Sequence, residues 1–480
     1  MNKLLHTTAF GALTLTSMYA YAQQDNRPNI IVILADDLGY SDMGCYGGEI
    51  QTPNLDKLAQ EGIRFNSFYN ASRSCPTRAS LLTGLYPHQA GIGRMTFNDN
   101  LPGYRGQLTE NGVTIAEVLK EAGYQTGMVG KWHIAETPLK SDQREWLAHH
   151  VYHEDFADKA CYPVNRGFDD FYGIIYGVAN YFDPFSLVNG DIPVRNVPKD
   201  YYITRALSDS AVSYVNRYAN ADKPFFLYLS YTAPHWPLHA LPEDIKKYEN
   251  TYKVGWDAIR EKRYERMKEL GIFSGADNFL TTRQSPKKWE DNPTKEWDAR
   301  AMAVHAAMVD RMDQGIGELI DALEKNNQLD NTLILFLSDN GCSSEVCQNY
   351  SDMTRIGEKI IYPRKKEVLP GSELSYASIG PIWANVANTP FRFWKAKSYE
   401  GGINTPLIAF WPKGINKGKG GITNQPGHVI DIMATCIDLA KAKYPKKYQG
   451  NSILPLEGKS LVPILKGSKR KGHEYLGFEH

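Results

Sequence analysis

The sequence predicts an α/β protein: a large, mainly parallel sheet flanked by helices. Three observations carry that prediction. Five short apolar runs punctuate the chain, NIIVILA at 29–35, GYQTGMVG at 123–130, PFFLYLSY at 224–231, TLILFLS at 332–338 and TPLIAFW at 405–411. Runs of this length, rich in β-branched and aromatic residues, fit strands buried on both faces of a sheet. Helical stretches lie between them. In 301–325, Val304, Met308, Met312, Ile316, Leu319 and Leu323 recur at helical spacing, and Asn326 and Asn327 supply a stop. Finally, 42% hydrophobic and 22% charged residues over 480 positions leave ample core and no bias toward disorder or a repetitive fibre.

Along the chain, residues 1–22 read as a secretory signal: Lys3, a mostly apolar stretch, and Ala20-Tyr21-Ala22 as a small-x-small cleavage site. No later run is long enough for a transmembrane helix, so the expected mature protein is exported and has no membrane span. With 54 basic residues against 54 acidic, nucleic acid and anionic membranes are poor partners, and any bound anion must be held by a local cluster. Cys45, Cys75, Cys161, Cys342, Cys347 and Cys436 are too sparse for a disulfide scaffold. Cys342 and Cys347 are near enough in sequence to pair, an option the pattern does not favour. The segment 240–300, rich in Lys, Glu, Trp and Tyr, reads as a helical excursion over the surface.

The residues that follow the strands matter most for function. After the first run come Asp36 and Asp37, after the second Lys131 and His133, after the third His235, and after the fourth Asp339 and Asn340. Ligands of open parallel sheets bind outside the carboxyl ends of the strands, so these residues are expected in one cleft. Any one of them alone would pass for a turn former. Asp36, Asp37, Asp339 and Asn340 offer only oxygen, which suits Ca²⁺ or Mg²⁺ better than Zn²⁺; the alternative is that Asp36 and Asp37 cap a helix. In residues 72–84, Pro76 suits the first helical position and Gly84 the end, which puts Ser74 just before a helix N-terminus that favours an anion, with Arg78 one turn on. By itself that segment reads as a capped helix with a surface arginine.

The string SCPTRASLLTG resembles the signature of the type I sulfatases of the alkaline-phosphatase superfamily. There a Cys or Ser, two residues before Pro and four before Arg, is oxidised to Cα-formylglycine (3-oxoalanine). By that spacing the modified residue is Ser74, and Cys75 is the variable position. The Ser form implies a serine-type anaerobic sulfatase-maturating enzyme, a bacterial source and a periplasmic or secreted location. RPNIIVILADDLGYSDMGCYGG, GKWHI, APHWPLH, FLSDNG and TPFRFWKAKSYEGGINTPLIAFWP extend the resemblance, in the family's order, over nearly the whole chain.

Carried over by position, the resemblance implies Asp36, Asp37, Asp339 and Asn340 as Ca²⁺ ligands, completed by the modified Ser74. Arg78, Lys131 and Lys395 match the cations that hold sulfate, Lys395 standing five residues before Glu400. His133 and His235 match the catalytic histidines. The implied reaction is attack on sulfur by one hydroxyl of a hydrated aldehyde, with Asp339 accepting its proton and His235 protonating the departing alcohol. His133 then deprotonates the second hydroxyl, which expels sulfate. Lys397 has no assigned role. His239 could face the cleft but is given no role, and Tyr46, Trp236 and Trp394 could stack on a sugar or aryl ring, although aromatic packing in the core is the better account of them.

The expected organisation is a sulfatase catalytic domain over 23–460, with 461–480 opening a C-terminal subdomain that looks truncated beside relatives. The 350–385 segment lies outside the family signature, and such loops set substrate choice. The expected substrate is a sulfated carbohydrate, with aryl sulfates as artificial substrates. The alternatives are a phosphatase or phosphonate monoester hydrolase of the same superfamily, and a non-catalytic sulfated-glycan binder if Ser74 stays unmodified.

Overall fold

A computed structural model describes residues 25–137, 156–273, 279–347, 354–356, 359–361 and 368–480. The signal segment 1–22 and most of 350–367 lie outside the described residues. The strands are β1 (Asn29–Ala35), β2 (Ile63–Tyr69), β3 (Gln125–Gly130), β4 (Asp170–Ile174), β5 (Leu187–Asn189), β6 (Ile192–Pro193), β7 (Phe225–Ser230), β8 (Thr332–Ser338), β9 (Thr354–Ile356), β10 (Lys359–Ile361), β11 (Asn404–Phe410), β12 (Gly421–Thr423), β13 (Gly427–His428) and a short separate pair, β14 (Lys447–Tyr448) and β15 (Asn451–Ser452). Eleven of them make one sheet in the order β12-β2-β11-β8-β1-β7-β3-β4-β5-β6, with β13 also on β2; β9 and β10 pair separately.

All five apolar runs are strands, and four of them, β8-β1-β7-β3, form a parallel centre with β4. The fifth, β11, runs antiparallel to both β8 and β2, because apolar content encodes burial and not direction. Strand β2 was not anticipated. It lies nearer the sheet edge and alternates buried with half-buried residues, so it lacks a continuous apolar run.

Successive β1 side chains enter opposite cores: Ile31, Ile33 and Ala35 one, Ile30, Val32 and Leu34 the other. The first core is closed by the helix Lys295–Lys325, which presents Val304, Met308, Met312, Ile316, Leu319 and Leu323 and begins six residues before the expected 301. The second is closed by the helices Ser74–Thr83, Ile115–Glu121 and Ile430–Ala440. Full burial of such side chains contributes about 1.5–3 kcal/mol each, which makes this two-sided packing the main source of stability.

The 240–300 segment is more than a surface excursion. In the helix Trp256–Glu269, Trp256, Ile259, Arg263 and Met267 fall on one face and are buried, a pattern that average composition conceals. Trp256 meets Trp289 edge-on with centroids 4.7 Å apart, and Arg263 pairs with Asp42 and Glu49 at 2.7 Å each. Residues 461–480 lie against the same body: Leu461 and Leu465 are fully buried, and Arg470 and His473 converge on Asp431 at 2.7 and 2.6 Å. All six cysteines are free, Cys342 and Cys347 included.

Candidate active site

Register brings the strand ends together. Ala35 pairs with Ser338, Leu34 with Ser230, and Gly130 with Ser230, so β1, β8, β7 and β3 finish at one level. Asp36, Asp339 and Lys131, each the next residue, therefore leave the sheet side by side. Asp37 takes a left-handed conformation (φ 65°), and its N–H donates to Asp339 Oδ1 at 3.2 Å. The next helical turn, Gly44–Tyr46, is capped at Met43, so Asp36 and Asp37 do not cap a helix.

The helix Ser74–Thr83 brings the proposed modified residue to this edge. Asn70 Oδ1 accepts from Ser72 N–H at 2.7 Å, and Thr77 Oγ1 accepts from Ala71 N–H at 2.9 Å, which shapes the turn after β2. Ser74 is the first helical residue, not the residue before the helix, and Pro76 is the third. Proline is tolerated there because first-turn N–H groups lack intrahelical partners. Gly84 ends the helix as expected, at φ 67°.

Ser74 Oγ lies 3.3 Å from Asp36 Oδ1 and 3.2 Å from Asn340 Oδ1, and Asn340 Nδ2 donates to Asp37 Oδ1 at 2.6 Å. Asp36, Asp37, Asp339 and Asn340 are all at most 2% exposed. Three carboxylates in so little space fit a divalent cation that prefers oxygen. Burial, reinforced by the Asp36 charge, raises the Asp339 carboxyl above its ordinary range. Asp36, Asp37 and His235 also come within 4.8 Å of one another. His235 faces the Trp236 carbonyl with Nδ1 and Lys395 with Nε2, so the all-oxygen set is the better ligand group.

The three cations meet the same carboxylates. Lys131 Nζ is 2.6 Å from Asp36 Oδ2, and Lys395 Nζ is 2.9 Å from Asp37 Oδ1. Burial pulls the Lys131 ammonium below its usual value, against the pull of Asp36. Burial opposes the charge on Lys395 as well, but Asp37 and Glu345 outweigh it and hold that ammonium above its usual value. Arg78 is fully buried. Its Nη2 donates to Asp339 Oδ2 at 2.8 Å and its Nη1 to the Lys131 carbonyl at 2.9 Å and to Ser230 Oγ. Only its Nε lacks a partner among the described residues, so Arg78 is a strut under the site and not a surface arginine. Lys395 is aimed by its backbone: Lys395 N–H donates to the Cys342 carbonyl at 3.2 Å and Ala396 N–H to that of Ser72 at 2.8 Å. Lys397 is exposed, in line with its unassigned role.

Both histidines are buried beside these cations. His133 adopts φ 55°, with its N–H on the Ile175 carbonyl at 3.1 Å; Nε2 stands 3.2 Å from Cys75 Sγ, and Nδ1 has no partner among the described residues. Burial, then the charges of Lys131 and Arg78, hold it well below its ordinary value, so it is neutral. Burial likewise lowers His235 to about 3, with Asp37 opposing and Lys395 assisting. His239 lies outside the cluster, its Nε2 on the Ser375 carbonyl at 2.8 Å. Tyr46 is core, its hydroxyl donating to the Phe65 carbonyl at 2.8 Å.

Glu345 was missed by the sequence reasoning. It accepts from Trp236 Nε1 at 2.9 Å and Ser343 Oγ at 3.0 Å, and lies 3.5 Å from Lys395 Nζ. Burial alone would raise it, yet the Lys395 ammonium and the hydrogen bond from Trp236 keep it far below the usual carboxylate range. No motif marked it in GCSSEVC. Ser230 carried a weak signal, as the last residue of a strand that ends at the cleft.

Comparison with known proteins gives the family. A family model described as Sulfatase matches residues 28–442. An arylsulfatase of Klebsiella aerogenes is 34% identical over 461 residues, covering 93% of this chain and 93% of that protein. An uncharacterized sulfatase of Schizosaccharomyces pombe is 33% identical over 489 residues, covering 95% and 84%. The crystal structure of Ps i-CgsB in complex with k-i-k-neocarrahexaose superposes with a TM-score of 0.61 at 29% identity, covering 92% of this chain and 77% of that one. A phosphonate monoester hydrolase of Agrobacterium radiobacter, at 20% identity and a TM-score of 0.52 over 93% and 78% of the two chains, shares the alkaline-phosphatase-like fold. The chain belongs to the sulfatase family and is a sulfuric ester hydrolase.

Proposed function

We propose that this protein hydrolyses a sulfate ester on a glycan, with Ser74 converted to Cα-formylglycine beside a calcium ion. One observation carries the reading. Ser74 Oγ lies within 3.3 Å of both Asp36 and Asn340, while Lys131 and Lys395 lie within 2.9 Å of Asp36 and Asp37. The similarity to a structure solved with k-i-k-neocarrahexaose supports a carbohydrate substrate.

Asp36, Asp37, Asp339 and Asn340, with residue 74, would hold the ion. Bound calcium supplies positive charge that acidifies a hydroxyl and attracts sulfate. Formylglycine supplies a hydrated carbonyl, which a plain serine lacks. Lys131 and Lys395 stabilise charge on the sulfuryl oxygens, and preorganised donors of this kind contribute several kcal/mol each. Arg78 acts through Asp339, which it holds at 2.8 Å. Neutral His133, with Nδ1 unengaged, is suited to accept a proton. His235 protonates the departing alcohol oxygen; an anionic ester bound beside it raises its proton affinity, as Asp37 already does.

Export to the periplasm or medium and oxidation by a serine-type anaerobic maturase belong to the same reading. Mass spectrometry of the tryptic peptide 74–78 from the native host tests it: loss of two hydrogen atoms at Ser74 is expected. An unmodified serine would favour a sulfated-glycan binder, and faster turnover of an aryl phosphate than of its matched aryl sulfate would favour a phosphatase.

A further inference from the structure

Glu345 is the charged group that the reaction leaves without a role. Its side chain is 28% exposed, against 3% for Asp37, in a cleft whose substrate is an anionic ester. Like charge there repels the substrate, so a carboxylate in that place calls for a compensating function. Nor is it a loose surface group. Its N–H donates to Ser343 Oγ at 3.2 Å, and its carbonyl accepts from Ser378 Oγ at 2.6 Å. Oε2 accepts from Ser343 Oγ at 3.0 Å and from Trp236 Nε1 at 2.9 Å, while Oε1 stands 3.7 Å from Arg73 Nη2.

So held, the carboxylate reaches two groups of the site. Lys395 Nζ lies 3.5 Å from Glu345 Oε2 and 2.9 Å from Asp37 Oδ1. A lysine is a point charge on a flexible stem, and Asp37 alone would draw the ammonium onto the oxygen cluster. A second carboxylate, nearer solvent, offsets that pull and keeps the ammonium available to a sulfuryl group. The other group is Trp236, whose indole N–H Glu345 holds. The indole ring centroid is 4.7 Å from that of the His235 imidazole, and His235 Nε2 is 3.3 Å from Lys395 Nζ. We propose that Glu345 is a positioning residue for sulfate-ester hydrolysis, one that sets Lys395 directly and His235 through Trp236. The inference rests on the reading of Lys395 as a cation that holds sulfate.

Glu345→Gln in the full-length protein tests it, because the amide oxygen can still accept from Trp236 while the charge facing Lys395 is gone. With an aryl sulfate, kcat is expected to fall about ten-fold, the scale of a small misplacement of a catalytic group. KM, and the calorimetric Kd of inorganic sulfate, should not rise, since the lost charge repelled the anion. In a Lys395→Met background, compared in saturating calcium, the same substitution should change kcat by less than about two-fold. Trp236→Phe, which leaves Lys395 in place, carries the cycle if Lys395→Met does not fold: it should lower kcat about three-fold alone and no further once Glu345→Gln is present. Unaltered kcat in Glu345→Gln, a KM and Kd that rise as kcat falls, or an equal loss with and without Lys395 overturns the inference. Sulfate binding that Lys395→Met leaves unchanged overturns the reading of Lys395 itself, and the inference with it.

Discussion

Lys395 Nζ stands 2.9 Å from Asp37 Oδ1 although 358 residues separate the two in sequence. The contact joins a cation to a carboxylate of the oxygen cluster, and both are nearly fully buried. Lys395→Met should lower kcat/KM for an aryl sulfate by about 10²–10³-fold, the usual loss for one preorganised charge. It also leaves Asp37 buried without its ammonium, which is strongly destabilising for such pairs. The Tm deficit of the variant should therefore be larger in chelator than in saturating calcium, and an equal deficit in both would contradict a shared role for Asp37.

Calcium itself should stabilise the fold. Binding to the native state alone adds RT ln(1 + [L]/Kd), about 2.7 kcal/mol at a hundred-fold excess over Kd. Adding calcium to chelator-treated protein should raise Tm, and Asn340→Ala should reduce the increment. Identical melting curves with and without calcium would argue against the site.

Gly177 sets the position of His133. A Cβ there would stand 2.2 Å from both Cε1 and Nε2 of the ring, too close for any real contact. Gly177→Ala should displace the ring and lower kcat about 10–100-fold, consistent with the sensitivity of catalysis to misplacement of order an ångström. In a His133→Ala background the same substitution should have little further effect, which a double-mutant cycle would reveal.

Stability should fall in mild acid partly through His239, outside the catalytic cluster. Its ring accepts from Tyr181 N–H at 3.3 Å and donates to the Ser375 carbonyl at 2.8 Å, a fully used neutral form, and burial lowers it from 6.5 to about 4. Between those values the unfolded chain binds the proton and the folded chain does not. The contribution is therefore full above pH 6.5 and lost as pH falls to 4, amounting to about 3 kcal/mol. Denaturant titrations at pH 7.5 and 4.5 should show wild type losing more stability than His239→Gln; parallel losses would refute the assignment.

Much of the site was legible because its residues sit at positions with local meaning. Asp36, Lys131 and Asp339 each follow the last residue of a parallel strand, where a ligand cleft is expected. Ser74 and Arg78 are one helical turn apart in a segment with a proline near its start and Gly84 at its end. Glu345 was not legible, since its importance comes from Trp236, Ser343 and Lys395 closing around it. Nor was the neutrality of His133 and His235, which reflects burial beside lysines from remote segments.

By itself the sequence determined the alternation of strands and helices, the oxygen-bearing residues after the first and fourth apolar runs, and a serine at the position of the family signature, because periodicity and residue chemistry are local properties. Tertiary structure alone decided that β11 runs antiparallel, that Arg78 is buried against Asp339, and that Glu345 closes on Lys395 and Trp236. Direction, burial and pairing depend on which distant segments pack together, and contacts across hundreds of residues leave no pattern in any short stretch of chain.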